Sequence, residues 1–155
     1  MTATAVRKVA LVTGGNRGIG RGIALELAAA GYGVMIAARD AAALETTADE
    51  IRALGGPAAT HAADLREADA PARLAEAVEQ RIGRLDVLVN NAGGAPPADA
   101  ATASPRFSEA IIRLNLLAPL NFAQRANSVM QAQEAGGVII NIASVSGVRP
   151  SPGTA

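Results

Sequence analysis

Val9-Ala10-Leu11-Val12-Thr13-Gly14-Gly15-Asn16-Arg17-Gly18-Ile19-Gly20 runs from an apolar strand into a helix through a glycine-rich turn. Glycines at 14, 18 and 20 remove the Cβ atoms that would hold an anion away from the backbone. The helix that follows aims its unpaired N–H groups and positive dipole end at the same point. A string of glycines alone is ordinary turn chemistry. Set between a strand and a helix, it predicts a dinucleotide whose pyrophosphate rests on the turn.

Working outward, short apolar runs alternate with amphipathic segments. Val9 to Val12, Val34 to Ala38, Ala58 to Ala63, Leu85 to Asn90 and Val138 to Ala143 read as five strands. Apolar stripes at helical spacing lie between them: Ile19, Ile23, Leu27; Leu44, Ala48, Ile51; and Leu74, Val78, Ile82. Gly31, Gly55-Gly56 and Gly83 stop those helices. A fourth helical segment, roughly Pro105 to Glu134, holds Pro119, which should kink it or free a carbonyl near Asn115. Right-handed βαβ crossovers then give an α/β, Rossmann-type doubly wound parallel sheet of expected order 3-2-1-4-5. The whole of 1–155 reads as one dinucleotide-binding domain.

Composition narrows the function classes. The chain has 155 residues, no cysteine and one histidine, so neither a disulfide framework, a thiolate nucleophile nor a zinc cluster is expected. Fourteen basic and fourteen acidic residues balance and are interspersed, which argues against nucleic acid or an anionic membrane as partner. No apolar run approaches the roughly 20 residues of a membrane span, and a cytoplasmic protein with a small-molecule ligand is the default. Only 2% of residues are aromatic, so Ala, Val, Ile and Leu must build the core.

Three further stretches stand at the carboxyl ends of strands, where ligands of such sheets bind. Asp64 follows the third strand, Asn90-Asn91-Ala92-Gly93 ends the fourth, and Asn141-Ile142-Ala143-Ser144-Val145-Ser146-Gly147 ends the fifth. In this order and spacing, from about Lys8 to Gly147, the chain resembles the short-chain dehydrogenase/reductase family, whose glycine turn reads Thr-Gly-x-x-x-Gly-x-Gly. The resemblance implies an oxidoreductase that interconverts a carbonyl and an alcohol by hydride transfer at a nicotinamide. Gly14, Asn16, Arg17, Gly18, Ile19 and Gly20 would line the pyrophosphate and adenosine ribose. Asp64, with the backbone of Leu65, would meet the adenine, the alternative being a carboxylate that caps the turn into the third helix. The side-chain amides of Asn90 and Asn91 would tie the central strand to its neighbour, while small Ala92 and Gly93 leave room for the cofactor.

Charge bears on which cofactor. Where an acidic residue would bind the ribose 2′-hydroxyl of NAD, this chain has Ala38 followed by Arg39, with Arg17 approaching from the glycine turn. Two guanidiniums converging on a phosphate favour NADP(H). NAD(H) is the alternative, with Asp40 as the ribose contact.

By the same resemblance, Ser144 holds the substrate oxygen and Asn115 supports a water in a proton relay. Taken alone, Ser144 and Ser146 read as turn residues and Asn115 as a locally satisfied helical amide. A hydrolase triad of Ser144, His61 and Asp64 lacks the nucleophile-elbow pattern. The family's acid/base tyrosine and its lysine would fall just past Ala155. The chain's Tyr32 and Lys8 precede their strands, and a five-residue strand of about 17 Å separates them from the site. The chain is therefore expected to be a C-terminally incomplete reductase, inactive as it stands, with its fifth strand an exposed apolar edge. A homo-oligomer, paired partly through the long fourth helix, is expected at full length. A non-catalytic dinucleotide-binding or regulatory domain is the alternative.

Overall fold

The computed structural model describes residues 7–82, 84–99 and 101–149. Five strands form one parallel sheet of order β3-β2-β1-β4-β5: β1 Val9–Thr13, β2 Gly33–Ala38, β3 Ala58–Ala62, β4 Val87–Asn90 and β5 Val138–Asn141. Between them lie α1 (Gly18–Ala29), α2 (Ala41–Ala53), α3 (Ala70–Ile82), α4 (Pro105–Ile112) and α5 (Ala118–Gln131). The expected strand order and Rossmann-like architecture are both present. Gly83, to which sequence reasoning assigned a helix stop, lies outside the described residues.

Alternation along the strands explains the two layers, since successive side chains face opposite sides of a sheet. Leu11, Met35, Ala37 and Leu88 face α3 and α5, packing on Leu74, Val78, Phe122, Ala126 and Met130. Ala10, Val12, Val34, Ile36 and Val89 face α1 and α2, packing on Ala24, Ala28, Leu44, Ala48 and Ile51. Every residue of β1 and β2 is buried, as expected of central strands covered on both faces.

One stripe differs from expectation. The face of α1 laid on the sheet is Gly20, Ala24 and Ala28, with Ile23 and Leu27 at its flanks, whereas Ile19 is 68% exposed. Small residues win this face because α1 leaves the glycine turn so close to β1 and β4 that a larger side chain has no room. A Cβ on Gly20 would stand 2.2 Å from the Gly14 carbonyl oxygen and 2.4 Å from Asn91 Nδ2. Ile19 therefore belongs to the rim of the turn and not to the core.

The long fourth segment is two helices. Ser104 caps α4 by accepting from Phe107 N at 3.2 Å, with Pro105 in the first turn. A π turn over Arg113–Leu117 then joins α4 to α5. Pro119 has no N–H to return to the carbonyl four residues back, that of Asn115, so the helix widens there instead of continuing. The expected distortion thus takes the form of a π turn at Asn115.

Coverage is uneven at the β5 side. Val138 and Ile140, on the α1 face of the edge strand, are 57% and 43% exposed, while Ile139 packs against the opposite core. At the lower end of the sheet, Asp86 fixes the start of β1 by accepting from Val9 N at 2.8 Å and from the Arg84 guanidinium. Gln133 plays a similar part for β4, accepting from Leu85 N and donating to Leu85 O, each at 2.8 Å. Among the described residues no helix is long and apolar enough to cross a membrane.

Candidate active site

Apart from Asn115, which lies in the π turn, the sequence-predicted site residues follow the carboxyl ends of strands, and the parallel sheet brings those ends to one edge of the molecule. After β1, the turn reverses at Gly14 (φ 66°) and Gly18 (φ 54°), a left-handed backbone in which an L side chain is strained. Gly14 N donates to Ala37 O at 2.7 Å, anchoring the turn on β2. Arg17 is the N-cap residue of α1 yet makes no side-chain cap bond, and the first turn of α1 carries no acidic residue. The helix therefore presents its first N–H groups outward with nothing of its own to receive them. A Cβ on Gly18 would meet nothing within 4 Å. Open space above uncapped amides is a cradle for an anion of phosphate size, and it suits a pyrophosphate.

Thr13 organises the neighbouring loop, a role sequence reasoning did not assign. Its buried hydroxyl donates to Val89 O at 3.2 Å and accepts from Asn91 N at 3.0 Å and Ala92 N at 3.1 Å. Asn91 returns the bond, its Nδ2 donating to Thr13 O at 2.9 Å and Gly14 O at 3.3 Å. The loop after β4 is thereby stapled to the glycine turn. A threonine ending a buried strand was the available signal, because such a hydroxyl must find partners.

From this loop the network reaches the π turn. Asn115 Oδ1 accepts from Gly94 N at 2.8 Å, and its Nδ2 donates to Gly94 O and Ile111 O, each at 3.0 Å. A Cβ on Gly93 would come within 2.9 Å of Asn115 Oδ1, so the loop closes on Asn115 only because residue 93 is glycine. Asn90, 5% exposed, donates through Nδ2 to Pro119 O at 3.1 Å and to Asn141 Oδ1 at 2.9 Å. Asn90 and Asn141 are register partners, so this amide ties β4 to β5 and to the start of α5.

Ser144 follows β5 and opens a short 3₁₀ turn, Val145–Gly147, its Oγ accepting from Ser146 N at 3.2 Å. The residue is solvent-exposed. Its lone pair steadies the turn while the hydroxyl hydrogen stays available to an outside acceptor. Tyr32 and Lys8 immediately precede β2 and β1 and so stand at the opposite end of the sheet, with Gly33 N bonded to Lys8 O at 2.9 Å.

At the β2 and β3 ends the charges sort unequally. Asp40 caps α2, accepting from Ala43 N at 3.0 Å. Asp64 accepts from Arg66 N at 3.1 Å and Arg66 Nε at 2.9 Å, and a further short bond links its Oδ2 to Arg66 Nη2. The Arg66 hydrogen bonds, outweighing partial burial and helped by the Arg39 charge, bring the Asp64 carboxyl down to about 2. Leu65 is buried with the α3 and α5 core. Arg17 and Arg39 are exposed.

The sequence pattern of the short chain dehydrogenase family matches residues 8–155. The chain is 39% identical to an uncharacterized oxidoreductase of Mycobacterium tuberculosis over 140 residues, covering 90% of this chain and 53% of that protein. It is 38% identical to the 3-oxoacyl-(acyl-carrier-protein) reductase of Staphylococcus aureus over 149 residues, 96% of this chain and 60% of the relative. Among solved structures, a metagenomic short-chain oxidoreductase in complex with NADP superposes with a TM-score of 0.90 at 40% identity, covering 97% of this chain and 69% of that one. Acetoin dehydrogenase from Salmonella typhimurium superposes at 0.89 with 35% identity, over 96% and 59%. The chain thus spans little more than half the length of these curated relatives. From the glycine turn, through the amide-stapled loop, to the serine after the fifth strand, this chain belongs to the short-chain dehydrogenase/reductase family.

Proposed function

We propose that the chain binds NADP(H) across the carboxyl ends of β1, β2, β3 and β4 and supplies the cofactor half of a carbonyl–alcohol oxidoreductase. The carrying observation is the uncapped, acid-free start of α1 behind Gly14 and Gly18. There the amides of residues 18 to 20 hold the pyrophosphate, and the left-handed glycines let it approach. Asn16 and Ile19 line the ribose, Asp64 with the Leu65 backbone receives the adenine amine, and Asn91, Ala92 and Gly93 flank the nicotinamide side.

Arg17 and Arg39 hold the 2′-phosphate. Asp40, the rival ribose ligand for NAD, already accepts from Ala43 N, which supports the phosphate reading. NADPH held there would supply a hydride to a small-molecule carbonyl substrate. Ser144 donates its free hydroxyl hydrogen to the substrate oxygen, holding it in place as negative charge develops there. Asn115 fixes the Asn91–Gly94 loop through its side chain, and its carbonyl, released by Pro119, accepts from a relay water.

Proton delivery is a different matter. The chain's one tyrosine and its lysine stand across the sheet from Ser144, so these 155 residues bind the dinucleotide without turning a substrate over. The apolar row Ile112, Leu116 and Leu120, each at least half exposed, supports a homo-oligomer paired along this helix. Cysteine-free composition suits the cytoplasm.

Titration of the chain with NADPH, followed by nicotinamide fluorescence, tests the reading. Saturable binding is expected, with NADH weaker, and Arg39→Asp should move the preference toward NADH. No saturation by either nucleotide, or a preference indifferent to Arg39→Asp, contradicts it.

A further inference from the structure

Two arginines compete for one carboxylate at the adenosine end of the site. Ala38 and Ala62 are register partners, and Ala63 N donates to Ala38 O at 2.9 Å, so Arg39 and Asp64 leave adjacent strand ends side by side. A flexible guanidinium beside an ionised carboxylate ordinarily pairs with it. Among the described residues Arg39 nevertheless takes part in no ion pair. Arg66 has the carboxylate instead. It reaches Asp64 from two residues on in the same turn, with its backbone N–H, its Nε on both oxygens and its Nη2 on Oδ2.

We propose that Arg66 is a positioning residue for cofactor choice: by occupying Asp64, it keeps Arg39 available to the 2′-phosphate of NADP(H). The inference rests on the cofactor reading above and extends it to a residue outside the cofactor's own contacts. Arg66 also offsets the charge of a carboxylate that would otherwise repel that phosphate. With Arg66 removed, Asp64 keeps its ionised form and its place beside β2, and Arg39 is the nearest cation left to satisfy it. A cofactor lacking the 2′-phosphate does not need Arg39. The penalty therefore falls on NADPH and spares NADH.

Dissociation constants for NADPH and NADH are measured by fluorescence on the unaltered chain, Arg66→Gln, Arg66→Lys and the double variant Asp64→Asn/Arg66→Gln. Arg66→Gln should weaken NADPH by about tenfold, the scale of one charge-assisted hydrogen bond, and change NADH by less than about twofold. The double variant should return the NADPH-to-NADH ratio to within about twofold of the unaltered chain, because no carboxylate remains to capture Arg39, while loss of the Asp64 adenine contact weakens both nucleotides alike. Arg66→Lys keeps the charge without the planar fork and should fall between. In cofactor-free protein, the Nε–H resonance of Arg39 should shift in Arg66→Gln and return in the double variant. An unchanged NADPH-to-NADH ratio in both Arg66→Gln and Arg66→Lys, or no recovery of that ratio in the double variant, overturns the inference while leaving the cofactor reading intact. Failure of the unaltered chain to bind either nucleotide overturns both.

Discussion

The centre of the sheet and its β5 edge are built to different standards. On the β1–β2 side every strand residue is buried, α1 lies so close that only Gly20, Ala24 and Ala28 fit beneath it, and Thr13 and Asn91 lock the turn to its neighbour loop. On the β5 side, strand residues alternate between solvent and a single core, and Ser144 stands exposed on a short turn. The contrast teaches that the residues assigned to cofactor binding inherit rigidity from a covered sheet. Those assigned to chemistry depend on a few amide bonds from Asn90 and Asn115.

The comparison breaks most readily at Gly20. Ala there places a methyl group inside van der Waals distance of the Gly14 carbonyl and Asn91 Nδ2, and should cost about 3 kcal/mol in a urea titration as the turn and loop are forced apart. A loss below about 1 kcal/mol would mean that the covered side is looser than described. Next in size is Thr13→Val, which removes one hydroxyl from between Val89 O and two amide donors. It should cost about 1–3 kcal/mol and weaken NADPH binding, because one buried and two part-buried backbone groups lose a partner together.

Acid sharpens the contrast further. Asp64 is held down to about 2, and Asp86 also lies below the ordinary value because Arg84 and Val9 N outweigh its burial. Carboxyls depressed in the folded state add stability that is complete above the unfolded pKa of about 4 and is lost as pH falls through the folded value. Thermal melts should therefore decline from about pH 4 downward, and Asp64→Asn should flatten that decline. The smallest effect belongs to the exposed flank. Ile140→Thr should leave stability within about 0.5 kcal/mol while reducing self-association measured by light scattering.

How much of this was legible in the sequence follows from how local each feature is. Strand order came through because each β-run was short, apolar and followed by a helix-period stripe, and chirality leaves few ways to connect such units. The stripe of α1 was misread at Ile19, since periodicity counts large apolar residues and close packing selects small ones. Pro119 and Asn115 announced a distortion, though a π turn in particular depends on how the helix meets the β4 loop. Thr13 was overlooked because its partners converge only when separate strand ends meet; Arg66 lies two residues from Asp64, and its bearing on Arg39 emerges only with the β2 and β3 ends side by side.

Amide chemical-shift mapping of the chain with NADPH tests the central claim most directly. Perturbations should saturate together at residues 14 to 20, Arg39, Asp64 to Arg66 and Asn91 to Gly93, with Lys8 and Tyr32 at the far end of the sheet unmoved. Perturbations centred on that far end, or none at the glycine turn under saturating NADPH, would contradict it.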